Sequence, residues 1–134
     1  MRPVLVDSNV LLDVATMDPE WFSWSSDSLS RSAHDSVLVI NPLIYAEVSI
    51  GFERIEDLED ILPVDVFIRE ALPYEAAFLA GKCFRMYRRR GGRKISPMPD
   101  FYIGAHASVS DFRLLTRDAA RYRTYFPGLD LIAP

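Results

Sequence analysis

The chain has 134 residues, 49% of them apolar, which is material for one core spanning residues 1–134 and not for several domains. A net charge of −4 argues against a general nucleic-acid coat protein, so any contact with nucleic acid has to be made at a local site. Cys83 stands alone, excluding an internal disulfide or a cysteine-based zinc site. No apolar run approaches the ~20 residues of a membrane span, and the opening Met1–Asp7 stretch meets charge too early for a secretion signal, so the expected compartment is the cytoplasm.

Val4-Leu5-Val6, after Pro3, reads as a short buried strand that stops at Asp7. Asn9 is placed to cap a helix running to about residue 15. Asp18-Pro19-Glu20 has the composition of a fresh helix start, and that helix carries Trp21, Phe22, Trp24 and Leu29 to about residue 34. Three such aromatics cannot all face one core, which leaves partial burial or a partner surface for them. Val37-Leu38-Val39-Ile40 is a second apolar strand. Asn41-Pro42 caps and opens a helix to about residue 52.

Residues 56–62 form a short acidic amphipathic helix, and residues 63–66 carry a brief third strand. The longest helix is expected over residues 73–90, stopped by Gly91-Gly92, with a loop over residues 93–99. A helix over 100–110, a strand over 112–116, a helix over 118–125 and an edge strand over 130–132 complete the chain. Strands alternating with helices predict an α/β fold, a parallel sheet covered on both faces.

Four acids stand out on this frame: Asp7, Glu47, Asp100 and Asp118. Asp7 and Asp118 lie just beyond strand ends, where open α/β sheets bind ligands. Capping the following helix is the competing role for each. Glu47 shares the apolar helical face of Leu43 and Ile44, and Asp100 that of Ile103, Gly104 and Ala107. An inward carboxylate is costly unless it is paired, protonated or bound to metal. Oxygen-only ligands suit Mg²⁺ or Mn²⁺, which can activate water for phosphoryl displacement. Gly104, Ala105 and Ala107 are small and would let their helix approach the sheet closely.

Val6-Asp7-Ser8-Asn9-Val10-Leu11-Leu12-Asp13 resembles the opening Asp-x-Asn motif of PIN-domain nucleases. Tyr45-Ala46-Glu47 resembles their second acidic motif and Pro99-Asp100-Phe101-Tyr102-Ile103-Gly104-Ala105-His106-Ala107 their third. Leu115-Thr116-Arg117-Asp118, followed by Tyr125-Phe126-Pro127, resembles the fourth. Length and motif wording are most similar to VapC-type toxins. The resemblance implies a three-layer α/β/α fold with a five-stranded parallel sheet in the order 3-2-1-4-5. It also implies a Mg²⁺- or Mn²⁺-dependent endoribonuclease, a homodimer, and neutralisation by a VapB-type antitoxin. On this likeness Asp7 and Asp100 are direct metal ligands, and Glu47 and Asp118 complete the pocket directly or through water. Thr116 matches a position whose hydroxyl lies near the pocket, and Asn9 one that steadies the Asp7 loop. An ordinary strand-end threonine and a helix cap are the competing roles for these two. Residues 17–34 match no part of the family pattern.

Arg88, Arg89, Arg90, Arg93 and Lys94 crowd together ahead of Asp100. They read either as a solvated helix end suited to the helix dipole or as a phosphate clamp on RNA. His34 and His106 are the only histidines, and His106 points away from the Asp100 face, so a histidine acid–base pair is disfavoured and both read as structural or surface residues. Two rivals to the nuclease remain. One is a phosphotransfer domain with Asp7 as nucleophile, although Asn9 stands where such a phosphatase wants Asp. The other is a catalytically silent PIN fold that binds RNA or protein.

Overall fold

Short, mostly apolar runs pair into one sheet: β1 (Val4–Val6), β2 (Leu38–Ile40), β3 (Phe67–Arg69), β4 (Arg113–Leu115) and β5 (Leu131–Ile132). A computed structural model describes residues 2–134. The strand order is β3-β2-β1-β4-β5, and every pairing is parallel. All of β1 and β2 is buried. Successive strand residues point to opposite faces, so continuous burial means that helices cover both sides, giving the three-layer α/β/α arrangement.

Those helices are α1 (Ser8–Ala15), α2 (Phe22–Asp35), α3 (Pro42–Ser49), α4 (Ile55–Ile61), α5 (Tyr74–Arg89), α6 (Pro99–Ser110) and α7 (Ala120–Tyr125). α1 packs on α2 and α3, while α6 packs on α3, α5 and α7. The chain builds outward from β1 to β3, then returns to lay β4 on the other side of β1. Strand order therefore reverses between β1 and β4. Val6 pairs with Leu115, and Asp7 N–H donates to the Leu115 carbonyl at 2.9 Å, which holds the two strand exits side by side.

Several local expectations need correction. Residues 63–66 are a turn, because the Pro63 carbonyl accepts from the N–H groups of Val66 and Phe67. The third strand is the next run, with Phe67 opposite Leu38 and Arg69 opposite Ile40. Asp7, not Asn9, caps α1, its side chain accepting from Ser8 N–H. Asp18 closes a turn by accepting from the N–H groups of Glu20 and Trp21, which delays α2 to Phe22. Likewise α7 begins at Ala120 and not at Asp118. Asn41 does cap α3, taking Ile44 N–H at 2.9 Å, with Pro42 at the first position. Gly104 makes room for a ring, not for the sheet: a Cβ there would run into Phe126.

Candidate active site

Asp7 leaves β1 into the crevice where strand order reverses and is only 3% exposed. One carboxylate oxygen, Oδ1, accepts from Ser8 N–H at 2.8 Å. The other, Oδ2, accepts from the Thr116 hydroxyl and the Tyr122 hydroxyl, each at 2.9 Å, and from the Asn9 amide at 3.5 Å. Asn9 also ties the two strand exits together. Its Nδ2 donates to Thr116 Oγ1 at 3.2 Å, and its Oδ1 accepts from Arg117 N–H at 3.2 Å. Thr116 and Asn9 thus both sit against the Asp7 carboxylate.

Glu47 reaches the same crevice from α3 and accepts from the Ser8 hydroxyl at 2.9 Å. Asp100 comes from the first turn of α6, with Arg121 Nη1 at 3.5 Å. Burial holds the proton affinity of Asp7, Glu47 and Asp100 above the usual carboxylate range, and like charge adds to it. Asp100 raises Asp7, and both raise Glu47. Against this, donors from Tyr122, Thr116 and Ser8 favour ionised Asp7, and Arg121 favours ionised Asp100. Asp118 is exposed at the rim, where its charge raises Asp100. Its backbone N–H donates to Thr116 Oγ1 at 3.2 Å. Three acids from separate elements therefore share one electrostatic site, and the fourth flanks it.

Among the described residues, no group of three or more His, Cys, Asp or Glu side chains is close enough to hold a metal ion as it stands. The acids instead lean on protein donors: Ser8, Thr116 and Tyr122 for Asp7, Ser8 for Glu47, Arg121 for Asp100. The chemistry of the set still fits a hard divalent cation. It is all oxygen, mutually repelling and partly withdrawn from water.

Of the basic cluster, Arg88 is spent on its own loop, donating to the Lys94 carbonyl at 2.7 Å. Arg90 lies over the Tyr125 ring at 5.3 Å, while Arg89, Arg93 and Lys94 are exposed. The loop folds back on Tyr87, whose hydroxyl accepts from the N–H groups of Arg93 and Lys94. Gly91 supports this return with φ at +91°. His106 is fully buried, with Nδ1 3.0 Å from the Asn41 amide, and burial pushes its pKa down, so it is a neutral core group. Trp21 and Trp24 meet edge to face and are partly buried, and Arg117 covers the Trp21 ring.

Sequence reasoning missed Tyr122, Arg121, Ser8 and the buried Asp13. Asp13 accepts from Ser25 Oγ and Arg117 Nε, each at 2.7 Å. One signal for Tyr122 was present: Ala119, Tyr122 and Phe126 fall on one helical face, and all three are buried.

A family model for the PIN domain matches residues 4–127. No curated protein sequence matches the chain. Solved structures of similar fold include VapBC2 from Rickettsia felis bound to a promoter DNA fragment, with a TM-score of 0.75 and 17% identity over 98% of each chain. VapBC-1 from nontypeable Haemophilus influenzae aligns with a TM-score of 0.73 and 15% identity over 98% of this chain and 97% of that one. A toxin–antitoxin complex from Klebsiella pneumoniae aligns with a TM-score of 0.69 and 19% identity over 96% and 95%.

Proposed function

The chain belongs to the PIN-domain family, and on that premise we propose that it is a divalent-metal-dependent endoribonuclease, the toxin of a toxin–antitoxin pair. The observation that carries the reading is the convergence of Asp7, Glu47 and Asp100 from β1, α3 and α6, each with its proton affinity raised by burial and by its neighbours. Asp7 and Asp100 would hold Mg²⁺ or Mn²⁺, with Glu47 and Asp118 completing the pocket. Bound there, such a cation supplies Lewis-acid activation of water and offsets charge on the phosphate in flight.

The chain's own residues prepare this. Tyr122, Thr116 and Ser8 fix the Asp7 carboxylate and favour its ionised form. Ser8 orients Glu47. Arg89, Arg93 and Lys94 are exposed and would supply positive charge for the flanking phosphates of RNA. The toxin assignment is supported by the likeness in fold to complexes described as VapBC or toxin–antitoxin, and a VapB-type antitoxin and a homodimer belong to the same proposal.

The test is cleavage of RNA by purified protein with Mg²⁺ or Mn²⁺, with end-group analysis. The expected products carry a 5′ phosphate and a 3′ hydroxyl. Asp100→Asn is expected to lose about 100-fold or more in rate while staying folded. Ends bearing 2′,3′-cyclic phosphate, or undiminished cleavage in EDTA, would sink the mechanism. Unchanged RNA binding with no cleavage in any divalent metal would favour a silent binding module.

A further inference from the structure

Between α5, α6 and α7 lies a cleft of about 410 Å³ whose lining joins Asp100 and Asp118 to Tyr87, Arg121, Thr124 and Tyr125. Arg121 faces two ways in it. Its Nη1 is 3.5 Å from Asp100, and its guanidinium lies 6.0 Å from the centre of the Tyr87 ring. The contact with Asp100 is long and the Arg121 side chain is 38% exposed, so this ion pair is weak and a phosphate can replace it while Met98 and Phe101 still seat the guanidinium. Tyr125 is held edge-on by Phe101 at 5.1 Å, and the exposed Arg90 lies over its ring at 5.3 Å. Two aromatic rings and the Arg121 guanidinium thus line the cleft together with two of the acids, and Arg90 lies over one of those rings.

This combination matches the two parts of a nucleotide. Base faces stack on aromatic rings and on guanidinium planes, and phosphates pair with guanidinium. A duplex hides its base faces, whereas a single strand can splay a base into a cleft. Resting on the ribonuclease reading, we propose that this cleft binds the nucleotide adjoining the scissile phosphate in a single-stranded RNA segment. The base lies against Tyr125, sharing or displacing Arg90, and the flanking phosphate is taken by Arg121. The sequence cluster ahead of Asp100 then contributes chiefly through Arg90, while Arg121, three residues after the exposed Asp118 and lining the same cleft, is the nearer phosphate group.

The test is fluorescence anisotropy of a labelled single-stranded RNA oligonucleotide with the full chain in EDTA, where cleavage does not interfere. Tyr125→Leu is expected to weaken binding about tenfold, and Tyr125→Phe, which keeps the ring, to restore it. Arg121→Gln is expected to lower the slope of log affinity against log salt by about 0.7. Should Tyr125→Leu fail to fold by thermal melting, the Arg121→Gln slope decides alone. Wild-type affinity and slope in both variants, with RNA still cut in Mg²⁺, would remove the subsite and leave the ribonuclease standing. A wild-type protein that neither binds nor cuts RNA would remove both. Equal affinity for the same sequence as a duplex would also overturn the proposal.

Discussion

At Asp7 two demands meet on one carboxylate: Oδ1 caps α1 through Ser8 N–H, and Oδ2 accepts from Thr116 and Tyr122. Burial and the neighbouring Asp7 charge push the Tyr122 pKa well above its ordinary value, so the hydroxyl stays a donor throughout the working pH range. Tyr122→Phe removes that donor with no change of shape. A hydrogen bond to a charged group contributes ~1.5–3 kcal/mol, so kcat/KM for RNA cleavage should fall about tenfold or more. The sign of the pH effect follows from the same bond. It favours ionised Asp7, so its loss raises the Asp7 pKa and moves the acid limb of the pH–rate profile to higher pH. An unshifted acid limb would show that Tyr122 only fills space. Asp7 was legible in sequence because a carboxylate directly after an apolar strand sits at the ligand-binding edge of a parallel sheet. Tyr122 was not, since its partner lies 115 residues away and nothing local to Tyr122 marks it as polar in purpose.

On the scale of elements, α6 and α7 must lie close for Asp100, Arg121 and Tyr122 to share one crevice. Gly104 permits this, because a Cβ at that position would enter the Phe126 ring. Gly104→Ala should therefore cost about 1–3 kcal/mol despite the better helix propensity of alanine. In a thermal melt Tm should fall by about 4 °C or more. Adding Phe126→Leu, which opens space at the contact, should recover part of the loss. A Gly104→Ala protein as stable as wild type would mean that the ring has room to move. The small residues of α6 were readable in sequence as a sign of close packing, but the partner was not, because burial pattern names a face and not its neighbour. Strands β1 and β2 were legible as continuous apolar runs. β3 was not: it is the sheet's edge, its Ile68 and Arg69 are exposed, and the strand-like alternation of Val64 and Val66 before it is bent into a turn at Pro63. Similarly, Asn9 could be read in sequence as a cap or, on the family likeness, as a support for the Asp7 loop, and the tertiary tie to Thr116 and Arg117 shows that it serves the two strand exits.

For the molecule as a whole, a net charge of −4 with three carboxylates crowded in one crevice sets function against stability. The folded-state pKa values of Asp7, Glu47 and Asp100 are raised above their ordinary values of 3.8, 4.5 and 3.8. The folded state therefore holds these protons more tightly than the unfolded chain. The stability they contribute is complete below the unfolded values and is lost as pH rises through the raised ones. Glu59 has the opposite shift, caused first by Arg69 and then by Tyr45, so its contribution is lost only as pH falls below the ordinary 4.5. His106, with its pKa lowered by burial, loses stability as pH falls below 6.5, a dependence of opposite sign to that of the acids. Wild type and Asp100→Asn share His106 and Glu59, and their difference isolates the crevice. In EDTA, Asp100→Asn should melt higher than wild type at neutral pH, by about 3 °C, with the gap narrowing as pH falls and the wild-type acids take up protons. Mn²⁺ or Mg²⁺ should raise the wild-type Tm at neutral pH by offsetting the same repulsion, and should raise that of Asp100→Asn less. A variant that melts below wild type in EDTA, with a gap independent of pH, would mean that Asp100 is held by Arg121 as an ordinary ion pair and that the crevice stores no excess negative charge for a cation to neutralise.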